Sequence, residues 1–296
     1  MFRLSDFAEQ AGLRIVRDGP FLRTGKMSTP LDGLCVPLRS EKFVAEANAN
    51  PDVVAVITST ELVSALDDRL AVAVADLPDA AHAEIHAELA CQHAAKLRDQ
   101  PNKIDASALI HPAANIADHG VTIGPRVSVG ANVSVAAGVT IEAECILHPG
   151  VSLGVPGFNT AIIAGRQRII PQIGGVHLHS FVELLANVCV ARALFGGNTV
   201  LGEEVVADNL VYIAHDVQIG KRVQICALAN ILGRVLIGDG AYIGPSSVIK
   251  NGLKIGKGAK VSIGSVVTQD VADHGVVSGN FAVSHDRFLQ HMRTIR

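Results

Sequence analysis

From Ile104 onward an aliphatic side chain returns at every sixth position: Ile104, Ile110 and Ile116, then, after one extra residue, Ile123, Val129, Val135, Ile141, Leu147 and Leu153. The series resumes at Leu178, Leu184 and Val190, then runs without a slip from Leu201 through Ala207, Ile213 and Ile219 to Val261 and Val267. Four positions after these aliphatics sits a second modest side chain, as at Val205, Val211, Val217, Val223, Ala229 and Val235. An amphipathic helix repeats at about 3.6 residues and a half-buried strand at 2, so a sustained period of six fits neither alone. It predicts a coil of short strands, three hexapeptides to a turn, in which each coil buries its inner face only against its neighbours. The fold class is therefore mainly β, a parallel β-helix; an ordinary β-sandwich does not account for so long an unbroken series.

The flanks read differently. Residues 1–77 combine a helix expected over Leu4 to Leu13 with apolar runs such as Val53 to Thr58, which predicts a small α/β domain. Asp79 to Leu97 is alanine-rich, is preceded by Pro78 and places Ile85, Leu89 and Ala90 on one face, so residues 78–103 should form a helix and linker. The coils are expected over residues 104–272, followed by a short tail at 273–296 that turns helical from His285.

Composition narrows the function. Aliphatics raise the apolar fraction to 49% while aromatics stay at 4%, which suits a repetitive interior and rules out a disordered chain. A net charge of −3 argues against a nucleic-acid binder. The first six residues already carry charge, unlike a signal peptide, and no stretch approaches the ~18 uncharged residues of a membrane helix. The five cysteines, Cys35, Cys91, Cys145, Cys189 and Cys226, show no CxxC spacing, so reduced thiols and a cytoplasmic location are expected, with no metal site.

Most coil positions are structural, and the breaks in the pattern are where function is expected. One break runs from Leu153 to Leu178; another takes eleven residues from Val190 to Leu201, where two hexads would take twelve. Beside them lies the hexad Ile213-Ala214-His215-Asp216-Val217-Gln218. With Ile213 and Val217 inward, His215 points out, and it is the only histidine between His179 and His274. At eighteen residues per coil its neighbours ahead and behind are Gly233 and, nominally, Gly197. Adjacent coils lie about 4.8 Å apart, which leaves the imidazole room for a ligand and brings the Gly233 N–H within one rung. A histidine base and a backbone N–H for the oxyanion are what acyl transfer from a thioester to an amine requires. Asp208 and Asp216 are the acids nearest His215 in sequence and either could orient it, as could a backbone carbonyl.

The run Asp208-Asn209-Leu210-Val211-Tyr212-Ile213-Ala214-His215-Asp216-Val217-Gln218-Ile219-Gly220 resembles the catalytic coil of bacterial UDP-3-O-acylglucosamine N-acyltransferases, hexapeptide-repeat enzymes of lipid A and lipopolysaccharide synthesis. Its Ile-Ala-His-Asp core is shared with the O-acylating relatives. Pro156-Gly157-Phe158, followed by Ile170-Pro171-Gln172-Ile173-Gly174-Gly175-Val176, is similar to the N-acylating family's own loop, as is the order of domains. The resemblance implies a left-handed β-helix, a homotrimer with sites between subunits, His215 as general base and Gly233 as oxyanion donor. It implies a nucleotide-linked amino sugar as acceptor, held in part by residues 1–77. Phe158, Phe43, Asn209 and Asn251 are substrate-binding candidates on this reading; Phe158 is expected to cover the sugar more than to pack beneath its own loop, while Phe43 serves at least equally as a packing residue of the small domain.

The chain also departs from that pattern. The family's second loop phenylalanine and following tryptophan are absent, its Asp-Arg-Gly run is Ala191-Arg192-Ala193, and its second active-site histidine is Leu253. Its uracil-facing aromatic, asparagine and tyrosine align with Pro37, Ser40 and Phe43, and its long C-terminal helices are cut short. Gly264-Ser265-Val266-Val267-Thr268 and Val276-Val277-Ser278-Gly279-Asn280-Phe281-Ala282 instead resemble the closing coil of acetyl-CoA-dependent sugar acetyltransferases. Lys250, Lys254, Lys257, Lys260, Arg287, Arg293 and Arg296 outnumber Asp270, Asp273 and Asp286, an excess that suits coenzyme A phosphates, an acidic carrier protein or plain solvation equally. Two donors thus stay open as co-substrate, an acyl carrier protein thioester and acyl-CoA, with no bound cofactor expected. A zinc-dependent β-helix carbonic anhydrase and a non-catalytic scaffold are weaker alternatives, since His215 stands alone among the later coils and the breaks spoil a flat face.

Overall fold

A computed structural model describes residues 1–163, 165–279 and 282–294. Asn280, Phe281 and Arg296, read above as parts of the closing coil and basic tail, lie outside them. The hexapeptide series folds into a left-handed β-helix of three parallel sheets, two of eight strands and one of nine. Tyr212–Ile213 pairs with Asn230–Ile231 and then Val248–Ile249, one coil apart each time. The aliphatic and i+4 positions interlock in one continuous core from Val121 to Val271. Corner residues take left-handed backbone angles at a strict interval of six, including Glu204, Leu210, Asp216, Arg222, Leu228 and Arg234, at φ 54–62°. The corners thus impose on ordinary residues a conformation usually left to glycine.

Both breaks are longer insertions than the hexad count suggests. Val190 and Leu201 lie on successive sheets, so one hexad separates them and the other five residues are looped out within 192–197. This corrects the expected pair of hexads. It also moves the residue behind His215: Val190 pairs with Ile213, so the register places Arg192 there and not Gly197. The 153–178 break carries an antiparallel hairpin, Thr160–Ile163 with Arg166–Ile169. The coil does not end at 272, because Val276–Val277 pairs with Lys260–Val261 as a last rung before the exposed helix His285–Thr294.

The N-terminal region holds a five-stranded sheet in which four parallel strands follow the antiparallel edge strand Arg14–Arg17. Leu4–Leu13 is not a helix. Only Leu4–Phe7 makes a short 3-10 turn, since Asp18 takes Ser5 and Arg3 while Phe2, Phe7 and Phe21 cluster beneath. The helix Pro78–Arg98 is buried on two sides, with Ile85 and Leu89 against the sheet and His82 and His86 against Phe195 of the 192–197 loop. His86 accepts from Thr24 Oγ1 at 2.6 Å and donates through Nε2 to the Pro171 carbonyl at 2.7 Å, which joins the sheet, the helix and the 153–178 break.

Burial pushes His82 down to about 3 and His86 down to about 4, so both imidazoles are neutral in the folded chain. The unfolded chain would protonate them near 6.5. Their contribution to stability is therefore complete above pH 6.5 and is lost as the pH falls toward 4, at up to about 1.4 kcal/mol per pH unit for each histidine. Urea midpoints measured from pH 7 to 4 should fall through this window, and a His86→Leu variant should show a flatter slope.

Candidate functional site

His215 lies just past Ile213, where the coil turns at Asp216. The positive φ of 61° at Asp216 folds its carboxylate back, so that Oδ2 meets His215 Nδ1 at 2.7 Å. A carboxylate only accepts, which fixes Nδ1 as the protonated nitrogen and leaves Nε2 with a free lone pair. The other carboxylate oxygen accepts the Leu194 N–H at 3.0 Å, and the Asp216 N–H donates to buried Thr199 Oγ1 at 3.0 Å. The looped-out residues thus hold the orienting acid.

The ring sits between two backbones. A Cβ built on Gly233 would lie 2.7 Å from both Nε2 and Cε1, and one on Gly157 would lie 3.1 Å from Cδ2. Gly157 is itself clamped by Gln172 through two 2.8 Å hydrogen bonds, its N–H donating to Oε1 and its carbonyl accepting from Nε2. Arg192 ties this assembly down by donating to the carbonyls of Gly154, Gln172 and Ala137. The Gly233 N–H donates to no acceptor among the described residues, while its carbonyl takes the Gly252 N–H in the ordinary ladder.

A cleft of about 420 Å³ opens over His215, bounded by Ser28 and Thr29 of the N-terminal region and by Leu194, Arg234 and Lys254 of the coils. A second, of about 400 Å³, runs between Pro37 and Arg39 at the ends of the parallel strands, the start of helix Pro78–Arg98 and the hairpin. Lys26, Asn159 and Phe195 line both, so one groove leads from the N-terminal sheet to the imidazole. The groove is cationic. Burial lowers the Lys26 ammonium pKa, as does nearby Arg234, whose Nη1 donates to Ser28 Oγ at 3.2 Å and whose buried Nε has no hydrogen-bond partner among the described residues.

Of the residues expected at a site, the structure assembles His215, Gly233 and Asp216. Asp208 and Asn209 stand one corner earlier and serve the turn: Asp208 accepts from Asn209 and from the Ala227 N–H, and Asn209 accepts from the Ala186 N–H. Phe158 is 82% exposed beside the groove, and Phe43 carries Lys42 over its ring at 4.6 Å on the outer surface. Asn251 is exposed next to Gly252, which does line the cleft. Lys26, Thr199 and Arg234 were missed. Arg234 directly follows Gly233 at a corner, and Lys26 lies in the polar run Gly25-Lys26-Met27-Ser28-Thr29-Pro30, but neither carries a signal without the docking of the two regions.

Comparison with known proteins agrees with this architecture. A family model for the hexapeptide repeat of succinyl-transferase matches residues 120–154 and 234–269. The UDP-3-O-acylglucosamine N-acyltransferase of Delftia acidovorans is 35% identical over 198 residues, 63% of this chain and 58% of that protein. The one from Methylobacterium nodulans is 32% identical over 151 residues, 51% of this chain and 43% of its own. This chain thus spans about half the length of these curated relatives. A solved UDP-N-acetylglucosamine acyltransferase from Campylobacter jejuni has the same fold, with a TM-score of 0.50 at 18% identity over 65% of this chain and 83% of that one. Coils, corner geometry and sequence together give this chain the hexapeptide-repeat left-handed β-helix fold, and over about half of its length or somewhat more it is similar to UDP-3-O-acylglucosamine N-acyltransferases.

Proposed function

We propose that the protein transfers an acyl group from a thioester to the amine of a nucleotide-linked amino sugar. The observation that carries this is the Asp216-held imidazole, whose Nε2 faces the backbone of Gly233 at the end of a cationic groove. The amine attacks the thioester carbonyl as Nε2 takes its proton, and the Gly233 N–H receives the negative oxygen. Collapse breaks the carbon–sulfur bond, and the imidazolium returns the proton to the departing thiolate. No protein nucleophile is needed. Lys26 and Arg234 are placed to hold the anionic diphosphate that joins nucleotide and sugar, with the nucleotide toward Pro37 and Arg39.

Three finer readings belong to the same proposal. The subunits form a homotrimer with sites between them; Ile146, Val206, Tyr242 and Val276 are exposed apolar residues on alternate rungs of the nine-stranded sheet, with Glu183, Gln224 and Lys260 between them. A cytoplasmic location is part of this reading, supported by the free cysteines, which suit a reducing compartment; no helix among the described residues is long and apolar enough to cross a membrane. The donor is an acyl carrier protein or coenzyme A thioester.

Thiol release with a panel of nucleotide-linked amino sugars tests the reaction, with acetyl-CoA and 3-hydroxyacyl carrier protein offered in turn. Turnover with only the carrier protein assigns a lipid A-type N-acylation; turnover with acetyl-CoA assigns a sugar N-acetylation; no turnover with either overturns the proposal. In the productive assay, Lys26→Met and Arg234→Met should each raise KM for the nucleotide sugar about tenfold or more, with kcat within a few-fold of wild type.

A further inference from the structure

On the sheet that borders the groove, Glu142, His177 and His179 bring one ligand atom each within 4.8 Å of one another. The register explains the convergence. Ile141 pairs with Leu178, so Glu142 and His179 are outward neighbours on adjacent rungs, and His177 points outward two residues earlier on the same strand. His177 Nε2 lies 2.9 Å and His179 Nδ1 3.1 Å from the same oxygen, Glu142 Oε1, and the two rings stack at 4.3 Å. The other carboxylate oxygen is fixed by the Ser180 N–H and hydroxyl, each at 3.1 Å. The thiol of Cys145, pushed up to about 11 by burial, donates to the His179 carbonyl at 3.1 Å and stays out of the cluster.

We propose that Glu142, His177 and His179 form a zinc(II) site. Two imidazole nitrogens and one carboxylate oxygen are a donor set that zinc takes, with a fourth position left for water or an incoming group. Ligands about 2.0–2.1 Å from a tetrahedral ion lie roughly 3.3 Å apart, so the 2.9 and 3.1 Å oxygen–nitrogen separations open by a few tenths of an ångström, while the two ring nitrogens, within 4.8 Å of each other, adjust to the ion. The Ser180 contacts are the outer-shell support that aims a ligating carboxylate. His148 and Glu183, by contrast, meet one to one at 2.8 Å with no third ligand among the described residues. The site is separate from acyl transfer: His177 pairs with Val200 and Val200 with Gln218 of the cleft, two rungs away.

The test is calorimetric titration of tag-free, chelator-treated full-length protein with zinc chloride, with visible absorption of the cobalt(II) form as a second readout. One equivalent per chain is expected. His177→Gln and Glu142→Gln should each weaken binding more than about 100-fold, and Ser180→Ala about tenfold. His148→Gln should bind as wild type. Melting curves recorded without metal show whether each variant is folded, and added zinc should raise the melting temperature of wild type but not of His177→Gln. Absence of saturable zinc binding below about 100 μM, or wild-type affinity in folded Glu142 and His177 variants, overturns the site.

Discussion

His215→Ala should lower kcat by about 10²–10⁴-fold while KM for the nucleotide sugar stays near wild type. The residues placed to hold the anionic substrate, Lys26 and Arg234, sit on other segments and do not depend on the imidazole. Only proton removal from the attacking amine is lost. Asp216→Asn separates positioning from chemistry. The amide can still accept the Leu194 N–H, but its NH₂ group beside Nδ1 favours the tautomer that carries the proton on Nε2. That variant should also fall steeply in kcat and should melt close to wild type. Steady-state thiol release with each variant is the measurement, and an undiminished rate for His215→Ala would refute the assigned chemistry.

The second large effect is expected at Gly233. Its backbone φ is not left-handed, so alanine adds no conformational strain there. The new methyl would nevertheless sit 2.7 Å from Nε2 and Cε1, closer than carbon atoms tolerate. The ring cannot simply retreat, because Gly157 stands behind it, held by Gln172, and Asp216 grips Nδ1. Gly233→Ala should therefore displace the base and cover the oxyanion donor together, lowering kcat at least about 10²-fold. Melting temperature should change little, since the rung remains paired. Gly157→Ala meets the ring at 3.1 Å, at Cδ2 and not at the reacting nitrogen, and should cost less. Comparing kcat and melting temperature for the two variants distinguishes a blocked site from a damaged fold.

What could be read from the sequence follows the range of the interactions involved. The coil was legible because its period is local: each Ile, Leu or Val at a sixth position faces inward whatever the rest of the chain does, and the next coil repeats the demand. The pairing of His215 with Gly233 was legible for the same reason, since no insertion lies between them and the register is eighteen. One coil earlier the same arithmetic failed. Five looped-out residues put Arg192 behind His215 where Gly197 was expected, because a looped segment changes the register without leaving the core.

The choice between Asp208 and Asp216 likewise needed three dimensions. Both are corner acids a few residues from His215, but only Asp216 turns back at a positive φ onto Nδ1, with Leu194 of the inserted loop to hold it. Asn209 and Asn251 carried the family pattern yet stand apart from the imidazole, one in a corner network and one in solvent. Lys26 and Arg234 meet only because the helix Pro78–Arg98 docks the N-terminal sheet onto the inserted loops, through contacts more than a hundred residues apart. Sequence by itself determined the coil, the stacking of its rungs and the register that sets Gly233 one rung from His215, all fixed by short-range periodicity. The orienting acid, the cationic groove and the Glu142–His177–His179 cluster were decided by tertiary structure, because they depend on how insertions and domains come together across that regular frame.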